Sequence, residues 1–346
     1  MRIAYLHAGL HKTGTSSLQA FVRTNADVLA QLGVVVPSFH GERRYFHRNL
    51  AFELGDAGGF DPSLGGFEHL AGEVRKTDKN IFVSHEIFST RIDQPKLLQW
   101  LVDFFKKLGC RLHVIGYVRN YPEYLNSRYS QATKRLYRHE DFAAFIENSM
   151  GHAHHELNQV FGPALDHPEV DVTIRHFDSS IVTGLEWSLI DAILPSGYDR
   201  SVFLPGERKN EAVHPKTVYL ARLVTRALEA EGLPRRKPRS YVRAVKRMAE
   251  KQGWTGAKFC GLTDELVARI EAFYKERNDA FGMRVWGAPW PDAPKRSYVS
   301  NEFDPQAASA EEIAEMNALV DKVLKRGRPA DARAEDDLTP NSDIEG

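Results

Sequence analysis

The sequence predicts an α/β fold: a P-loop-like central parallel sheet flanked by helices, followed by a mostly helical C-terminal part. Three patterns predict it. Short, mostly apolar runs recur at 3–7, 80–84 and 112–118, as strands covered on both faces require, and 170–175 makes a last plausible strand. Segments with apolar residues at helical spacing alternate with them, the signature of strands laid parallel under crossover helices. A glycine turn joins the first apolar run to the first helical segment, at the sheet edge where such folds bind ligands.

Taken in order, residues 3–7 form a strand and 9–14 a loop. Over 15–32 the spacing of Leu18, Phe21, Val22, Val28, Leu29 and Leu32 predicts a helix. Val34, Val35 and Val36 before Pro37 make a second apolar stretch, and the Gly, Asp and Pro content of 55–67 reads as a surface loop. A buried strand is expected over 80–84, an amphipathic helix over 95–108, a strand over 112–118, a helix over 121–135 and a last strand over 170–175. Helical pattern dominates from about 207 to 283 and returns over 310–325. The acidic segment 328–346 is poor in large apolar residues and is expected to be disordered. These elements imply one domain over 1–295, with an α/β core to about 200 and a helical part over about 207–290. An extension over 296–327 carries the last helix.

Lys plus Arg balance Asp plus Glu at 46 each, so overall charge makes no case for a nucleic-acid partner. An anionic ligand must be met by local placement of cations instead. Cys110 and Cys260 are the two cysteines, which excludes a disulfide framework or a thiolate cluster and fits a reducing compartment. The first residues lack the apolar core of a signal peptide, and no run approaches the roughly 20 residues of a membrane span. The expectation is a cytoplasmic protein.

The strongest local signal is His7-Ala8-Gly9-Leu10-His11-Lys12-Thr13-Gly14-Thr15-Ser16-Ser17, where the first strand passes into the first helix. Glycines there let successive N–H groups point into one concavity, and the helix N-terminus adds partial positive charge. Lys12 supplies a full charge, and the hydroxyls of Thr13, Thr15, Ser16 and Ser17 can donate to oxyanions. The spacing departs from the nucleoside-triphosphatase loop, because the lysine lies two residues before the second glycine instead of directly after it. The plain alternative is a turn and a helix cap, which has no need of a lysine and four hydroxyls together.

The run His11-Lys12-Thr13-Gly14-Thr15-Ser16-Ser17-Leu18-Gln19 resembles the 5′-phosphosulfate loop of sulfotransferases that use 3′-phosphoadenosine 5′-phosphosulfate (PAPS), in the form found in bacterial carbohydrate-type members. The resemblance implies that Lys12 meets the bridging oxygen and the sulfuryl group, with the loop amides around the 5′-phosphate. A second segment, Val114 to Pro122 continuing to Ser127-Arg128-Tyr129, resembles the 3′-phosphate site of the same family. Arg119 at a strand end offers a planar fork of donors. Ser127, eight residues on, falls about two helical turns later. Each feature alone has a bland reading, an arginine paired with a carboxylate and an idle serine. Two phosphate sites on one sheet edge specify a nucleoside phosphorylated at both ends, which ATP is not; the spent product is 3′,5′-bisphosphoadenosine. Residues 206–211 resemble the loop that closes over the 3′-phosphate, with Arg208 or Lys209 as contributors, against the alternative of a plain surface loop. The resemblance covers about 1–130 well and 150–285 loosely.

Sulfuryl transfer needs a base for the acceptor proton. Val83-Ser84-His85-Glu86 ends the strand over 80–84 and offers two. His85 falls where cytosolic small-molecule sulfotransferases carry a catalytic histidine, and Glu86 where the bacterial and glycosaminoglycan types carry an acid. Either can titrate usefully. A third reading makes His85 a core or capping residue.

Other features carry less. His152, His154 and His155 invite a metal reading, but Glu156 is the one carboxylate close by, and the preferred readings are a polar helix face or a wall of the acceptor site, so no metal is expected. Arg175, His176, Phe177 and Asp178 mark a strand end with two readings, a structural salt bridge or a wall of the acceptor cleft. The basic stretch over 234–251 is a solvated helix face or an anion-attracting rim. Phe39, Tyr45, Phe46, Tyr129 and Tyr137 are core residues or stacking faces for a sugar or adenine. The reading is therefore a PAPS-dependent sulfotransferase acting on a hydroxyl or amine, with a carbohydrate or glycoconjugate acceptor implied by the resemblance. Its rivals are a magnesium-dependent small-molecule or sugar kinase using ATP and a non-catalytic module binding a nucleotide or an anionic glycan.

Overall fold

The apolar runs become strands of one sheet. In the computed structural model, which describes residues 1–10, 12–39, 46–55, 58–151, 156–206, 213–234, 238–292 and 296–328, five strands pair in parallel. They are β1 (Arg2–His7), β2 (Val34–Val35), β3 (Asn80–Ser84), β4 (Cys110–Val118) and β5 (Val170–His176), in the order β2-β3-β1-β4-β5. The register sets His7 level with Ser84 of β3 and Ile115 of β4, while Val118 lies opposite His176. β1 thus ends between two neighbours, and the loop leaving it opens between their tips.

Helices cover both faces, as continuous apolar strands demand. On one face the helices Phe67–Arg75, Pro95–Lys107 and Leu157–Asp166 bury Leu70, Leu98, Leu101, Phe105 and Phe161. On the other, Thr15–Thr24 and Leu185–Ile193 bury Leu18, Phe21, Val22, Leu189 and Ile190. Each such side chain contributes about 1.5–3 kcal/mol by leaving water. Beyond the sheet, the helices Pro215–Ala230, Arg239–Lys251 and Ala310–Gly327 share a core that includes Leu220, Val224, Tyr241, Val245, Leu319 and Val323. Ser309 and Glu312 form a reciprocal capping box at the start of the last helix.

Several elements differ from expectation. The helix expected over 15–32 is two helices, Thr15–Thr24 and Ala26–Gln31, broken at Asn25. The Asn25 amide donates to the carbonyls of Phe21 and Leu204, both at 2.9 Å, and its oxygen accepts from Leu204 N at 2.7 Å. The loop expected over 55–67 contains a 3₁₀ turn at Pro62–Leu64 and gives way to a helix at Phe67. Helices at Arg48–Glu53, Phe142–Gly151, Leu157–Asp166, Phe177–Thr183 and Leu185–Ile193 were not expected. Residues 329–346 of the acidic tail lie outside the described residues. Among those described, no helix is long and apolar enough to cross a membrane.

Candidate functional site

The loop after β1 is folded by left-handed backbone and by its own side chains. Ala8 N donates to Ile115 O at 2.9 Å, tying the loop to β4. Lys12 (φ 68) and Gly14 (φ 76) then turn the chain. Gly14 is required twice over, by that φ and by space, since a Cβ there would strike Leu185 and Phe177. Lys12 has no such exemption, and holding a non-glycine residue there costs of order 1 kcal/mol or more, strain of the kind that collects at functional sites. The Thr13 hydroxyl donates inward to Leu10 O at 2.6 Å, so it braces the loop and does not face a ligand. Thr15 is buried with an unpartnered hydroxyl, Ser17 is half-buried and Ser16 exposed. No side chain caps the Thr15–Thr24 helix; the N–H groups of Ser17 and Leu18 donate to Gly14 O, and those of Thr15 and Ser16 precede the helical ladder.

Arg119 leaves β4 and reaches this loop. Its Nη1 donates to Lys12 O at 3.3 Å, while its Nε lies 3.4 Å from Asp178 Oδ1, close enough to pair but not aligned for a hydrogen bond. The guanidinium sits over the Phe177 ring, 5.1 Å from its centre. Asp178 Oδ2 also accepts from Asn120 N at 3.1 Å, fixing the strand end. Asn120 accepts from Trp290 Nε1 at 2.7 Å, and its own amide nitrogen is buried without a partner, a donor left over for a ligand. Of the carboxylate reading and the phosphate reading of Arg119, the structure thus displays the carboxylate and adds a contact to the loop.

Lys258, exposed on a neighbouring loop, feels the charge of this group. Desolvation first, and then the guanidinium groups of Arg119 and Arg296, hold its ammonium below the ordinary lysine value. Its loop is pinned to the Tyr121–Lys134 helix: Asn126 Oδ1 accepts from Gly261 N at 2.9 Å, and Asn126 Nδ2 donates to Phe259 O at 3.3 Å. Ser127, the next residue on that helix, is half-buried, and among the described residues no hydrogen bond joins it to Arg119.

The candidate bases stand at the tip of β3. His85 Nδ1 accepts from Ile87 N at 3.2 Å and so caps the short turn Glu86–Phe88. Its Nε2 lies 3.8 Å from Glu86 Oε2; the side chains are 8% and 28% exposed, so Glu86 is the one that reaches solvent. Ser84 before them is held on three sides. Its N–H donates to His47 Nδ1 at 3.0 Å, its hydroxyl lies 2.8 Å from His7 Nδ1, and Gln19 Nε2 lies 3.3 Å from both its oxygens.

His7 and His47 are fully buried, and burial pushes both down to about 4. For His47 the bonding agrees: Nδ1 accepts a backbone N–H while Nε2 donates to Pro37 O at 2.9 Å, a neutral tautomer. Unfolded, these rings titrate near 6.5, so between about 6.5 and about 4 the unfolded chain binds more protons. Stability is therefore whole above pH 6.5 and falls as the pH drops, by up to about 1.4 kcal/mol per pH unit for each histidine. Urea denaturation at pH 7.5, 6 and 5 should show the midpoint falling. An unchanged midpoint would contradict two neutral buried imidazoles.

The structure brings Lys12, Gly14, Thr15 and Arg119 to one sheet edge, with His85 and Glu86 two strands from β4 at the tips of the same sheet. His11, Arg208, Lys209 and the cluster His152, His154 and His155 lie outside the described residues, as does Tyr45. Phe39, Phe46 and Tyr129 are buried core residues. Sequence reasoning missed Asp178 as the partner of Arg119, Asn120 and Lys258. Asp178 belongs to the strand-end run 175–178, but nothing in spacing joins it to Arg119. Comparison with models of protein families, with curated proteins and with solved structures gives no match.

Proposed function

We propose that the chain is a sulfotransferase with a P-loop-like donor site, moving the sulfuryl group of PAPS to a hydroxyl or amine, with a carbohydrate as the acceptor class favoured by its motifs. The observation that carries this reading is the contact of Arg119 with the backbone of Lys12 at 3.3 Å, because it sets the strand-end arginine against the glycine loop. One doubly phosphorylated nucleoside can then span them, its 5′ end on the loop amides and its 3′ end toward Arg119, Lys258 and Ser127. Lys12 offsets the negative charge that gathers on the 5′-phosphate as its bond to sulfur breaks. Glu86, the more exposed of the two candidates, takes the proton that the acceptor releases as its oxygen or nitrogen bonds to sulfur. His85 positions it from its capped place beside the carboxylate.

Titration calorimetry with 3′,5′-bisphosphoadenosine and with ATP separates this reading from a kinase: the bisphosphate should bind more tightly, and tighter ATP binding overturns it. Glu86→Gln should lower turnover by about 10²–10⁴-fold, the usual worth of a general base, with bisphosphate affinity kept. If His85→Asn alone removes turnover at constant affinity, the base is His85.

A further inference from the structure

β5 ends the sheet, and beside its outer edge runs a groove of about 650 Å³. Its walls are the strand itself, the helices Phe177–Thr183 and Leu185–Ile193, and Val285, Trp286 and Pro291. Arg175 lines it, half-buried, with Nε shut off from solvent and without an acceptor. The salt bridge expected for the strand end forms elsewhere. Asp178 turns to Arg119, and Asp191, the carboxylate in the groove, takes the Tyr198 hydroxyl and, at 3.3 Å, Arg200. Among the described residues Arg175 forms no ion pair. A partly desolvated guanidinium without a counter-ion is costly, and its fork suits a planar oxyanion.

The other polar groups indicate what carries that oxyanion. Ser180 donates to His176 O at 2.8 Å and Thr183 to Ser180 O at 3.3 Å. His176 Nε2 faces Asn120 Oδ1 at 3.2 Å, which leaves Nδ1 to accept from Ser179 at 3.0 Å. The hydroxyl protons are thus turned inward, and their lone pairs, with Asp191, remain as acceptors. One strong donor fork among several acceptors does not match a bare inorganic anion, which wants donors all round. It matches a molecule with one acidic group and several hydroxyls.

We propose that this groove binds a small polyhydroxylated acid, such as a sugar acid or the acidic unit of an oligosaccharide, with its oxyanion on Arg175 and its hydroxyls donating to Ser179, Thr183 and Asp191. β5 lies three strand spacings, about 14 Å, from β3 and its candidate bases, so the groove holds its ligand apart from the transfer chemistry. The proposal does not depend on what the loop after β1 binds.

Calorimetry on the full chain tests it with trigalacturonate, neutral maltotriose and inorganic sulfate. Trigalacturonate should bind, with the other two at least about tenfold weaker. Arg175→Gln should weaken trigalacturonate about tenfold or more, and Arg175→Lys less, with melting temperatures confirming that both variants fold. The proposal is overturned if trigalacturonate does not bind, if either comparison ligand matches it, or if Arg175→Gln leaves its affinity unchanged. Loss of binding in Arg119→Ala with Arg175→Gln unaffected would place the acid in the loop site and overturn it equally.

Discussion

Replacing Lys12 with alanine is expected to lower turnover by about 10²–10³-fold, the usual loss when one donor to a developing charge is removed. Affinity for 3′,5′-bisphosphoadenosine should stay within a few-fold, because in the proposed reaction the lysine acts on charge that appears as sulfur departs. The backbone keeps its own role in this variant, since the bond from Arg119 ends on the Lys12 carbonyl. Left-handed φ at position 12 complicates the comparison, and Lys12→Gly resolves it by removing the side chain from a backbone glycine adopts freely. Both variants should be equally inactive. Turnover above a tenth of the parent's in either would remove Lys12 from the chemistry.

Arg119→Ala should weaken donor binding by about 2–4 kcal/mol, roughly 30- to 1000-fold in Kd, as for the loss of a charge-assisted bidentate contact. The same side chain also braces the loop through Lys12 O, so affinity alone is ambiguous. Adenosine 5′-phosphosulfate, which lacks the 3′-phosphate, distinguishes the two. If Arg119 meets the 3′-phosphate, the substitution penalises the bisphosphate far more than this ligand. An equal penalty on both would assign Arg119 to loop bracing, with the 3′ end held elsewhere.

How far such residues can be read from sequence depends on the distance over which they are specified. β3 over 80–84 is legible in place, because a short apolar run bounded by polar residues carries its own signal. The glycine loop is legible for the same reason, its backbone turns being encoded within a few residues. Asn25 is illegible as a helix break, since its partner Leu204 lies 179 residues on. The Phe67–Arg75 helix is hidden behind Gly65 and Gly66, although Phe67, Leu70, Ala71 and Val74 have helical spacing. Lys258 shows nothing locally; its loop is set by Asn126, which lies more than 130 residues earlier and pins Phe259 and Gly261. His7 and His47 matter through burial and tautomer, which composition does not reveal.

Gln19 has one more consequence. Its amide spans from the helix that begins at the glycine turn to Ser84, two residues ahead of Glu86. The helix start and the tip of β3 are thus held at one spacing by a single side chain. In the proposed reaction, one amide therefore ties the support of the donor loop to the support of the candidate base, and Gln19→Ala should loosen both.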